Sequence, residues 1–199
     1  MLKTNQKTIL EPVTFTGIGL HSAVKSNIKL LPAAANHGIV FKRVDLNKDN
    51  LIEADYKNVS SAKLCTTLKN KYGYSVSTIE HLMAAIYITG IDNLLIEIDN
   101  QEVPIMDGSS KDFVKSIKAV GFKNLLTKRN YLKINKKIEF KLNEKIISIE
   151  PNNESLIVDF ELVYSNNLIG KQRSSIDFAE SDLEDVYNSR TFCLFEDIE

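Results

Sequence analysis

The sequence has only two cysteines, Cys65 and Cys193, far apart and outside any CxxC pair. That excludes a disulfide framework and fits a reducing compartment. Proline (4) and glycine (8) are sparse and scattered, so neither a Pro- or Gly-rich linker nor a low-complexity tract divides the chain. No apolar run approaches the length that spans a bilayer, and residues 1–7 lack the apolar core of a secretory signal. A cytoplasmic protein with no transmembrane segment is expected. An excess of positive charge is also missing, with Lys+Arg at 25 against Asp+Glu at 26 and a formal net charge of −1. Without a basic field nothing would displace counterions from a polyanion, so no nucleic-acid partner is expected. Histidine is scarce as well: His21, His37 and His81 are the only three, and the HExxH spacing of zinc proteases is absent.

What is present reads as an ordinary globular protein: 199 residues, 43% hydrophobic and 26% charged, enough for one large domain or two small ones. Period-2 alternation with β-branched residues predicts strands over 7–15, 26–31, 39–44 and 93–99, then over 131–134, 137–142, 145–150 and 156–164. Helical spacing predicts a helix over 78–89, with Ile79, Leu82, Met83 and Ile86 on one face, Ser77 as N-cap and Gly90 as the stop. A second covers 111–120 through Phe113, Val114, Ile117 and Val120, ending at Gly121. A third opens at Ser181 and runs toward Tyr187. Strands do not alternate with crossover helices, so the class is α+β with mainly antiparallel sheets. The polar stretch 123–129 is the candidate boundary, giving an N-terminal α+β domain over 1–125 and a C-terminal one over 126–199.

Chemistry concentrates at Glu80-His81. Neutral imidazole is a zinc ligand, and a neighbouring carboxylate can take a proton from water as it attacks a carbonyl. The same residues have a plain structural reading, since Ser77-Thr78-Ile79-Glu80 matches a capping box in which Glu80 bonds back to the helix start. Gly17-Ile18-Gly19-Leu20-His21-Ser22 joins two strands as a tight turn. Pro104-Ile105-Met106-Asp107-Gly108-Ser109 is a turn feeding a helix, where Asp107 and Ser109 suit free backbone amides. The Thr191 hydroxyl could donate to an oxyanion, or simply begin a strand. Taken singly, none of these decides.

Taken together, in order and spacing, they resemble the UDP-3-O-acyl-N-acetylglucosamine deacetylase (LpxC) family. The resemblance rests on the residue 17–22 turn, Leu64-Cys65-Thr66, Ser77-Thr78-Ile79-Glu80-His81-Leu82-Met83-Ala84-Ala85 and Gly90-Ile91-Asp92-Asn93. It extends through Glu102-Val103-Pro104-Ile105-Met106-Asp107-Gly108-Ser109 to Arg190-Thr191-Phe192. It implies two α+β domains, each a mainly antiparallel sheet layered with helices, with the active site in the cleft between them. It implies zinc-dependent hydrolysis of the N-acetyl group of a UDP-linked, 3-O-acylated glucosamine, the committed step of lipid A synthesis, by a monomeric enzyme. By the resemblance Glu80 is the general base, His81 one of three zinc ligands, and Thr191 a partner of the oxyanion. Leu64, Cys65 and Phe192 fall where the family lines its acyl and substrate pocket. Lys145 and Tyr164 fall near the nucleotide, as phosphate partner and uracil-stacking ring.

Three positions depart from the family pattern: Ala23 for a usual Gly, Ser189 for a usual Ala, and Ser165-Asn166-Asn167 for a common His-Pro pair. The family's remaining zinc ligands and its general-acid histidine belong to a segment beyond Glu199. The 199-residue chain is therefore expected to be a C-terminally incomplete deacetylase, inactive by itself and open to proteolysis after about Leu126. The alternative is a catalytically inactive binding module that keeps part of the sugar-nucleotide and acyl pocket.

Overall fold

In the computed structural model residues 4–179 and 183–193 are described. The expected strand over 7–15 is two strands, β1 (Asn5–Ile9) and β2 (Val13–Ile18). Pro12, with no N–H to give a ladder, sits between them, and the Leu10 N–H turns away to the Gly121 carbonyl at 3.0 Å. Then follow β3 (Lys25–Pro32), β4 (Ile39–Arg43), β5 (Leu51–Glu53) and the short β6 (Val59–Ser61), β7 (Thr67–Lys69) and β8 (Ser75–Val76). Helix α1 (Glu80–Ile88), β9 (Leu94–Ile98), helix α2 (Lys111–Val120) and β10 (Phe122–Lys128) come next. The chain continues through β11 (Ile138–Leu142), β12 (Lys145–Ile149), β13 (Ile157–Val163), β14 (Lys171–Asp177) and helix α3 (Glu184–Asn188). The predicted third-helix start at Ser181 lies outside the described residues, and residues 131–134, expected as a strand, carry no regular structure.

Chain contacts separate two compact units, one holding the described residues of 4–129 and 184–193, the other those of 130–183. In the first, a five-stranded sheet runs in the order β2-β3-β9-β4-β5. Among the described strand pairs only β4 against β9 is parallel; every other one is antiparallel. Alternate residues of the sheet, Phe15, Ile28, Leu30, Phe41, Ile52, Leu94, Ile96 and Ile98, join one core with Ile79, Leu82 and Ile86 of the α1 segment. Phe113, Val114 and Ile117 of α2 complete it, so the predicted apolar faces of both helices are the buried ones. Phe113 meets Phe15 edge to face, with centroids 4.9 Å apart, a pair that contributes about 0.5–1.5 kcal/mol beyond its burial.

The polar stretch 123–129, expected as a boundary, is instead mostly strand: β10 pairs antiparallel with β1 through Asn5↔Lys128, Lys7↔Asn124 and Ile9↔Phe122. None of its side chains is buried and Leu126 is 99% exposed, so the backbone pairing leaves little apolar periodicity to read. Arg129 closes the strand with an ion pair to Asp92 at 2.7 Å and a hydrogen bond to the Gly90 carbonyl at 2.6 Å.

The second unit holds two antiparallel hairpins, β11-β12 and β13-β14, with no helix among its described residues. Between β13 and β14, Asn166 shapes the turn: its side chain accepts from the Leu168 N–H at 2.9 Å and its carbonyl from the Gly170 N–H at 2.8 Å. Gly170 there takes a positive φ of 55°.

Candidate active site

Helix α1 does not begin as a capping box. Ser77 is held in a ladder, donating its N–H to the Gln101 carbonyl at 2.8 Å and accepting from the Val103 N–H at 3.1 Å. Thr78 then turns into the left-handed region, φ 55°, a place where a β-branched residue is a genuine outlier costing about 1–3 kcal/mol. The helix starts at Glu80, and no side chain caps it. The Glu80 carboxylate, free of the capping role, instead accepts from the Thr66 N–H at 3.1 Å. That bond joins the general-base candidate to the Leu64-Cys65-Thr66 segment. At the other end Gly90 is the expected stop: with φ 69° it donates to the Tyr87 carbonyl while Ile91 donates to Ile86, satisfying two free carbonyls.

Half-buried His81 follows on the first turn of α1. Its carbonyl accepts from the Ser110 hydroxyl at 2.8 Å, so Ser110 ties the two helices together rather than capping α2. The turn before α2 is organised by Asp107, which accepts from the Ser109 hydroxyl at 2.6 Å and the Ser109 N–H at 3.1 Å, and pairs with Arg190 at 3.1 Å. The Ser109 hydroxyl above all, with the Ser109 N–H and then Arg190, holds the Asp107 carboxyl below the usual carboxylate range, although burial opposes it. The Thr191 N–H donates to the Gly108 carbonyl at 2.9 Å. Thus the Arg190-Thr191 pair docks on the Asp107-Gly108 turn, within the unit that carries Glu80. Ser189 donates its hydroxyl to the Asp185 carbonyl at 2.7 Å and so fastens this segment to α3.

Beneath Thr78 lies a residue to which the sequence pattern assigned no role. Glu102 is 2% exposed. Its carboxylate accepts from the His21 N–H at 2.9 Å, the Ser22 N–H at 2.8 Å and the Thr78 hydroxyl at 2.8 Å. Burial pushes this carboxyl up, but the Ser22 hydroxyl, the His21 N–H, the Thr78 hydroxyl and the Ser22 N–H together outweigh it and hold the group below the usual range. Gly19 is required here, because a β-carbon would overlap both the Glu102 carboxylate and the Ser22 hydroxyl. Gly17 serves a second approach, since its β-carbon would lie 2.8 Å from Pro104 Cβ. The signals were legible in kind: an acid set before the apolar Val103-Pro104-Ile105, and two glycines in one short turn.

The remaining candidates divide. Leu64 is 80% exposed with φ 63°, and Cys65 is half-buried with its Sγ 3.9 Å from the Thr67 hydroxyl. Phe192 is exposed beside Thr191. Lys145, in β12, and Tyr164, whose N–H donates to the Gly170 carbonyl at 3.0 Å, belong to the second unit. The Gly90-Ile91-Asp92-Asn93 motif is architectural: buried Asn93 accepts from the Gly38 N–H at 3.0 Å and donates to Gln6 at 3.0 Å. A catalytic zinc takes three protein donors and an open position. Among the described residues no group of three His, Cys, Asp or Glu side chains could hold a metal ion, so they do not complete such a site.

Comparison with known proteins gives the family of the chain. Residues 6–199 match the family described as LpxC, UDP-3-O-acyl N-acetylglycosamine deacetylase. A UDP-3-O-acyl-N-acetylglucosamine deacetylase of Nautilia profundicola is 41% identical over 195 residues, covering 98% of this chain and 65% of the relative. Those of Pseudoalteromonas translucida and Geotalea uraniireducens are 39% and 41% identical, again over 98% of the chain and over 65% and 63% of the relatives. The chain thus spans about two thirds of the length of the curated relatives it matches. By the match over residues 6–199, it belongs to the UDP-3-O-acyl-N-acetylglucosamine deacetylase (LpxC) family.

Proposed function

We propose that the complete protein hydrolyses the N-acetyl group of UDP-3-O-acyl-N-acetylglucosamine in lipid A synthesis, and that this chain carries the base and part of the substrate site. The observation that supports it best is the Glu80 carboxylate, withdrawn from helix capping and held by the Thr66 N–H. A carboxylate so placed accepts a proton from water as that water attacks the acetyl carbonyl, and the departing amine is proposed to take its proton from a general-acid histidine outside the described residues. Thr191, set by its N–H on Gly108, is proposed to donate its hydroxyl to the oxyanion. Leu64, Cys65 and Phe192 are proposed to line the acyl and substrate pocket, and Lys145 and Tyr164 to meet the nucleotide. His81 is proposed as one imidazole of a zinc site whose other donors lie outside the described residues; bound there, zinc would supply Lewis-acid activation of the carbonyl. The protein is proposed to act as a cytoplasmic monomer; no described helix is long and apolar enough to cross a membrane.

A second reading, a non-catalytic binding module, draws on the missing three-donor group among the described residues. Acetate release from the acylated sugar nucleotide separates the two. In the complete protein Glu80→Ala should lower turnover severely with zinc content nearly intact, whereas His81→Ala should lose zinc. The 199-residue chain alone should release no acetate at any zinc concentration. Equal zinc loss in both variants would overturn the division of roles, and turnover by the chain alone would mean that it holds ligands not assigned above.

A further inference from the structure

We infer that Glu102 is a positioning residue for Glu80: its buried carboxylate holds Thr78 in the left-handed conformation from which α1 starts, and thereby sets where the Glu80 carboxylate meets the Thr66 N–H. The meaning of this for catalysis rests on the proposed role of Glu80; the positioning itself can be read without any turnover. Glu102 touches none of the groups assigned to the chemistry, so it acts only through Thr78.

The geometry carries the argument in three steps. Thr78 is two residues before Glu80, and its φ of 55° is a conformation that a free threonine leaves. Something must over-determine it. Its neighbour Ser77 is fixed by the Gln101 and Val103 backbone, and its own hydroxyl is fixed by Glu102 at 2.8 Å. Secondly, every group that meets the Glu102 carboxylate donates, and each carboxylate oxygen receives one backbone N–H, from His21 on one side and Ser22 on the other. Only an ionised, acceptor-only group satisfies that set. A glutamine would have to turn its NH2 toward one of the two N–H groups. Thirdly, the carboxylate's place is kept open by Gly19, where any β-carbon would displace it. The residue 19–22 turn is therefore part of the same clamp, although it lies about sixty residues earlier in the chain than Glu80.

A merely structural tie would weaken the whole unit evenly; a positioning clamp loosens the Thr66–Glu80 contact more than the core. Amide hydrogen exchange on the 199-residue chain distinguishes them, with Thr66 read against the core amides of Ile28 and Ile96, both in the central sheet. In Glu102→Gln the Thr66 amide should exchange roughly tenfold faster after correction for any change at Ile28 and Ile96. Thr78→Gly adopts a positive φ without strain, so by itself it should leave Thr66 protected, and added to Glu102→Gln it should restore at least half of the lost protection on a logarithmic scale. Should Glu102→Gln fail to fold, Gly19→Ala displaces the carboxylate with its charge intact and is read at the same amide. Equal acceleration of Thr66 and core amides, loss of Thr66 protection in Thr78→Gly alone, or a double variant that exchanges faster than Glu102→Gln would each overturn the inference. In the complete protein kcat should fall in Glu102→Gln with KM changed much less, and recover in the double variant. If the exchange pattern holds but Glu80→Gln retains full turnover, the proposed function fails and the clamp stands. If Glu80→Gln abolishes turnover but Thr66 ignores Glu102→Gln, the clamp fails alone.

Discussion

Replacing Ala23 with glycine should stabilise the protein. Ala23 ends the turn between β2 and β3 with φ 54°, its N–H donating to the Gly19 carbonyl at 3.0 Å while the Gly19 N–H donates to Val24 at 2.9 Å. The left-handed region costs an L-residue roughly 1–2 kcal/mol. Glycine avoids that cost, but its freer unfolded chain gives back about 0.4–1 kcal/mol. The Ala23 side chain is exposed, so its methyl contributes almost no burial to lose. The net expectation is a gain of about 0.5–1 kcal/mol. With a urea slope of about 1–3 kcal/mol/M, the midpoint should rise by about 0.4 M. Ala84→Gly is the matched control, because Ala84 is exposed in the interior of α1, where glycine should cost about 0.8–1 kcal/mol. The two substitutions are chemically identical and should move the midpoint in opposite directions. A lower midpoint for both would refute the reasoning and mean that the turn is held in place by something other than its backbone conformation.

Acidification should weaken the fold through Glu102 and Asp107. Both carboxyls are held below their usual range, so their contribution is fully present above the unfolded pKa of about 4 and is lost as pH falls through the lower folded value. Urea midpoints at pH 5, 4 and 3 should fall less steeply in Glu102→Gln than in the parent; identical slopes would exclude Glu102 as a source. Gly17→Ala, whose β-carbon would lie 2.8 Å from Pro104 Cβ and 3.3 Å from Met106 Sδ, should cost about 1–3 kcal/mol by overpacking. Gly38→Ala meets nothing within 4 Å and bears only its positive φ of 71°, so thermal melts should rank it as the milder change. Limited trypsin should cut at Lys133 or Lys136, in a stretch without regular structure, before Lys123 or Lys128 in the paired β10; the reverse order would show that β10 frays first.

The sequence was informative wherever burial wrote a period into it. The central strands and the apolar faces of α1 and α2 carry alternate or helical spacing because one side packs on the core. It was uninformative where pairing is made by backbone alone. Strand β10 has no apolar face and so resembled a linker, while β6, β7 and β8 are too short to show a period. The capping-box pattern misled for a different reason. Ser77 and Glu80 have the right identities, but the strand-like ladder to Gln101 and Val103 holds Ser77 in place and Thr66 draws Glu80 away. Local propensity lost to contacts made from distant parts of the chain. Glu102 escaped for the same reason, since its meaning lies in partners eighty residues upstream as well as in Thr78.

The segment that docks on Gly108 returns to the first unit only after the chain has passed through the second, residues 130–183. During synthesis at roughly 5–20 residues per second, those 54 residues take about 3–11 s. Over that interval the nascent first unit already holds every strand of its central sheet and both α1 and α2. It still lacks Arg190 against Asp107 and Thr191 against Gly108. The Glu80 side of the site can thus fold on the ribosome well before its Thr191 side exists, so a half-built site has a lifetime of seconds in which chaperones or small molecules could reach it.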